Sequence, residues 1–98
     1  ALPLCDNKAC EYKSTKQGVM HACGHDAHMT IALGVAKLLN RHKDKFKGTI
    51  RMLFEPAEET TGGAQVMIKE GALDNPNVDA IIGLHVSEDI PCGKIGVK

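Results

Sequence analysis

The chain has 98 residues, twelve basic and twelve acidic side chains and a formal net charge of zero, so it is one domain at most, or a piece of one. A 43% hydrophobic fraction plus ten glycines gives the ordinary globular composition of about half apolar, which excludes a disordered tail or a collagen-like repeat. Balanced charge offers no basic footprint for nucleic acid, and apolar stretches of only a few residues fall far short of the ~20 that span a bilayer.

Residues 1–19 mix Lys, Asp, Asn, Ser, Thr and Gly with little periodicity and read as loop. Cys5 and Cys10 lie in this segment, with Cys23 and Cys92 further on. The sequence carries no secretory leader pattern, so the expectation is free thiols in a reducing cytoplasm rather than two disulfides. Asp26 then precedes a run in which Met29, Ala32, Leu33, Val35, Ala36 and Leu39 follow the spacing of a buried helix face. Arg41, His42, Lys43 and Lys45 crowd its far end and complement the helix dipole. That basic cluster reads as a solvated helix end rather than a binding patch.

GTIRMLF, residues 48–54, has the length of a strand and closes on Pro56, where a ladder stops. A short helix around Ala64, Val66, Met67 and Ile68 follows, and Gly71 can end it as a left-handed cap. Asn75-Pro76-Asn77 signals a turn. VDAIIGLHV, residues 78–86, reads as a second strand whose near-continuous Ile and Val predict burial on both faces. Helix, strand, helix, strand with short links is the pattern of an α/β fold: part of a mostly parallel sheet with flanking helices, joined by right-handed crossovers. Such sheets bind ligands outside the carboxyl ends of their strands.

Three clusters map to that edge. MHACGHDAH (residues 20–28) precedes the first helix, EPAEE (residues 55–59) follows the first strand, and His85 ends the second. Each has a bland reading alone: a capping group of histidines, a solvated acidic pair, a core or surface His. Together they supply the thiolate, imidazole and carboxylate groups that a transition-metal site uses. Cys23 and His25 stand two apart, so an extended backbone would send both to one side. The neighbours Glu58 and Glu59 would point apart, which suits one carboxylate on a metal and one toward water or substrate.

The stretches GVMHACGHDAHMTIALGVAKLL, GTIRMLFEPAEETTGGAQVMIKEGAL and VDAIIGLHV, followed by PCGKIG, resemble the amidohydrolase branch of the aminoacylase–carboxypeptidase metallopeptidase family. That branch includes hippurate hydrolases, N-acyl-amino-acid amidohydrolases and the plant indole-acetyl-amino-acid hydrolases. The resemblance covers nearly the whole chain. It implies a site of two divalent ions held by Cys23, His25, Glu59 and His85, with Cys23 where related branches place a bridging Asp. It also implies Glu58 as the general base, taking a proton from water and passing it to the leaving amine. Zinc, manganese, nickel and cobalt all suit this donor set. For His28 the expectation is support of His25, and for Asp26 a capping duty.

Family members are several times longer. By this resemblance residues 1–98 are the N-terminal portion of the catalytic domain, without the lid domain, through which the parent dimerises, and without the later segment bearing the last metal-binding His. The implied parent hydrolyses N-acyl amino acids as small-molecule substrates, with no nucleic-acid or membrane partner, and the piece alone is expected to be inactive. The alternative is a non-catalytic metal-binding or interaction module using the same residues. Glu58 discriminates, since a structural site needs Glu59 but not its neighbour. A thiol redox module is disfavoured because there is no Cys-x-x-Cys pair.

Overall fold

A computed structural model describes residues 1–97. Its helical segments in chain order are α1 (His25–Arg41), a single 3-10 turn (Lys43–Lys45) and α2 (Ala64–Lys69). None is long and apolar enough to cross a membrane.

Helix α1 begins where the sequence pattern puts it. Gly24 at φ 78° turns the chain into the helix, and its carbonyl accepts the His28 N–H at 3.1 Å. Asp26 lies in the first turn and Arg41 in the last, each at the end of the dipole that favours its charge. Of the two places that suit Asp26 by sequence, the first turn or the cap, it takes the first turn. The half-buried stripe comprises His25, His28, Ala32, Ala36 and Leu39, spaced by three, four, four and three residues. Met29, Leu33 and Val35, expected on a buried face, stay exposed.

Helix α2 ends as its sequence predicts. Gly71 adopts φ 85°, its N–H donates to the Ile68 carbonyl at 3.0 Å, and the Ala72 N–H donates to Met67 at 2.9 Å. These two bonds form a Schellman cap. The other end is less local. Gly63 offers no side-chain cap, and the first helical N–H, that of Ala64, donates instead to Glu55 Oε1 at 2.9 Å. Arg51 secures the turns after α2, its guanidinium donating to the carbonyls of Ala72, Asp74 and Asn75.

Among the described residues, 48–54 and 78–86 carry no sheet ladder. The one β pairing among them is an isolated antiparallel bridge between Leu2 and Met20. A strand exists only through its neighbour, so an apolar run with no ladder partner remains an isolated segment. Burial follows the same logic. Ile81 and Ile82, expected to be covered on both faces, are 73% and 95% exposed. Among the described residues no apolar side chain is buried.

The chain divides into two units, Ala1–Ile31 with Leu84–Lys98, and Ala32–Gly83. In the first, Asp6 organises the opening loop: its carboxylate accepts the N–H groups of Lys8 at 3.1 Å and Ser14 at 3.0 Å. The second contains a cleft of about 220 Å³ lined by Ala36, Leu39, Phe46, Ile50 and Met52, with Asn40 and Lys43 at its polar side.

Candidate metal centre

In the first unit, the Cys23 sulfur and a ring nitrogen of His25 lie within 4.8 Å of each other. Both residues are part-buried. Gly24, between the two residues, adopts φ 78° just before α1 starts. Thiolate and imidazole are donors for borderline transition-metal ions, so the pair fits a metal in its donor chemistry. No disulfide joins cysteines among the described residues.

His85 belongs to the same unit but stands beside His28, ring centroids 6.1 Å apart and planes tilted by 57°. The backbone N–H of the next residue, Val86, donates to His28 Nε2 at 3.2 Å. His28, expected to support His25, makes a contact that reaches the segment of His85. Val86 also fills the space over Gly24, where a Cβ would lie 2.6 Å from its Cγ2.

In the second unit, Glu58 and Glu59 occupy the turn at 58–61. Ala57 precedes them in the left-handed region at φ 55°, and its carbonyl accepts the N–H groups of Thr60 at 3.1 Å and Gly62 at 2.8 Å. Gly63 closes the loop against Pro56, whose carbonyl and ring occupy the place of any Cβ. A non-glycine residue held at positive φ costs on the order of 1 kcal/mol or more, and such residues cluster at functional sites. Capping of α2 falls to Glu55.

The whole chain, residues 1–98, matches the family model described as peptidase family M20/M25/M40. The chain belongs to that family. Among its relatives, the M20 chain is 48% identical over 98 residues to the N-acetyl-L-cysteine deacetylase of Bacillus subtilis (strain 168), covering all of this chain and 23% of that protein. It is 50% identical over 94 residues to IAA-amino acid hydrolase ILR1-like 2 of Arabidopsis thaliana, covering 96% of this chain and 21% of that protein. Thermostable carboxypeptidase 1 of Saccharolobus solfataricus (strain ATCC 35092 / DSM 1617 / JCM 11322 / P2) is 47% identical over 100 residues, covering 100% of this chain and 25% of that protein. The chain thus spans about a quarter of the length of the curated relatives it matches. No solved structure matches it.

Proposed function

We propose that the full-length protein carrying this M20 chain is a metal-dependent amidohydrolase that cleaves the amide bond between an acyl group and an amino acid. The observation that carries the reading is the Cys23–His25 donor pair at the start of α1, in a chain whose relatives are named as an N-acetylcysteine deacetylase and IAA-amino acid hydrolases. Cys23, His25, Glu59 and His85 would hold divalent ions. A divalent cation there supplies Lewis acidity toward the scissile carbonyl and makes water more acidic. Cys23 acts as thiolate and the two histidines as neutral rings, so each sheds its proton before it can ligate. Glu58 takes the proton of the attacking water and delivers it to the leaving amine nitrogen, a shuttle for which a carboxylate one residue from a ligand is well placed. The turn led by Ala57 holds both carboxylates on one short, braced loop, which limits the motion that would blur a proton transfer. The mostly parallel sheet is part of the same proposal, with residues 48–54 and 78–86 as strands once neighbours pair with them. The 98-residue chain by itself, with no apolar side chain buried among its described residues, is proposed to be inactive.

The test is amino-acid release by the full-length protein from N-acetyl, N-benzoyl and indole-acetyl amino acids, with and without chelator. Chelator-sensitive release from at least one class is expected. Release from none, or release indifferent to chelator, would refute the reading.

A further inference from the structure

We infer that His28 is a positioning residue: its ring, together with Gly24, anchors the backbone that carries His85 and so sets where that imidazole stands relative to Cys23 and His25. The inference rests on the reading of His85 as a ligand and adds a residue to it.

Among the described residues, two contacts from the start of α1 hold the residue next to His85. The Val86 N–H donates to His28 Nε2 at 3.2 Å, a bond spanning 58 residues of sequence. The Val86 side chain meanwhile occupies the space over Gly24 left by the missing Cβ. Gly24 lies between Cys23 and His25, and His28 lies one helical turn beyond His25. One short stretch therefore carries two candidate ligands and grips the neighbour of a third.

His28 Nε2 takes the Val86 N–H, and Nδ1 is buried with no hydrogen-bond partner among the described residues. An apolar residue at this position would leave the Val86 N–H without its acceptor, which is costly wherever water cannot replace it. His28 thus acts through backbone rather than as a ligand. Its ring, 6.1 Å from that of His85, leaves the His85 ring to ligate.

The experiment uses Co²⁺ as the probe in the full-length protein, with affinity from chelator competition and geometry from the visible absorption bands. Outer-sphere residues that orient ligands typically contribute about 10–100-fold in metal affinity. His28→Leu is expected to weaken Co²⁺ binding by about that factor and to alter the bands. His28→Gln, whose amide oxygen reaches the position of Nε2, should hold close to the parent affinity and spectrum. In a His85→Ala background, His28→Leu should cost nothing further. Parent-like affinity and bands in His28→Leu would overturn the inference, as would an undiminished loss in the His85→Ala background. If His28→Leu does not fold, His28→Gln against His28→Asn decides. The Asn oxygen reaches only the Nδ1 position, so Gln should retain the bands and Asn lose them; equal behaviour would overturn the inference. Should His85→Ala itself leave Co²⁺ binding unchanged, the ligand reading fails, and the inference with it.

Discussion

Replacing Gly24 by Ala perturbs the start of α1 in two separable ways. Gly24 has φ 78°, where an L-residue pays roughly 1–2 kcal/mol because its Cβ crowds the following carbonyl. The added methyl would also lie 2.6 Å from Val86 Cγ2. Overpacking of that kind costs about 1–3 kcal/mol, and Val86, 45% exposed, has room to yield, which places this part near the lower end. The expected destabilisation is therefore about 2–3 kcal/mol, read from urea unfolding of the full-length protein. Val86→Ala in the Gly24→Ala background removes the collision but not the backbone cost, so it should restore about 1 kcal/mol relative to Val86→Ala alone. Gly24→Ala unfolding at the parent midpoint would refute the reasoning. So would complete restoration by Val86→Ala, which would leave no cost for the left-handed turn.

Arg51→Ala should destabilise by about 1–2 kcal/mol, since three carbonyl acceptors after α2 lose one rigid donor. Arg51→Lys should recover little of it, because an ammonium cannot reproduce the planar fork; denaturation midpoints measure both. The Ser14 N–H, with smaller contributions from Lys8, holds the Asp6 carboxyl below its ordinary value of 3.8. A lowered folded-state pKa means the stabilisation is in place above the unfolded value and fades as pH falls through the lower, folded one. The Ser14 amide resonance should therefore move below about pH 4 in the parent and stay still in Asp6→Asn. Metal affinity should fall on acidification as Cys23, His25 and His85 take up protons, and Cys23→Ser should weaken binding at every pH, as seen by chelator competition.

Local chemistry made the helices legible in the sequence. Asp26 and Arg41 at opposite ends of α1 and Gly71 after α2 are short-range signals, and the structure uses them in those places. The Cys23–His25 approach was foreseeable from their spacing, although the residue between them, Gly24, is in the left-handed region rather than extended. Long-range partners left no local trace. The bond from Val86 to His28 joins residues 58 apart, Arg51 reaches carbonyls 21 to 24 residues away, and Glu55 caps a helix nine residues on. None of these alters periodicity or composition. Burial was the least legible property. Ile81, Ile82 and Leu33 carry the pattern of covered residues, yet a pattern states only which surface is apolar, and covering it takes another layer.

Glu58→Gln in the full-length protein tests the central claim most directly, because it removes a proton acceptor while keeping shape and leaving Glu59 in place. The measurement pairs turnover of an N-acyl amino acid with metal content of the same sample. Loss of turnover by about 10²–10⁴-fold or more, with metal content unchanged, is the result predicted. Turnover at the parent rate, or loss of metal together with activity, would contradict a proton-shuttling Glu58 beside ions held by Cys23, His25, Glu59 and His85.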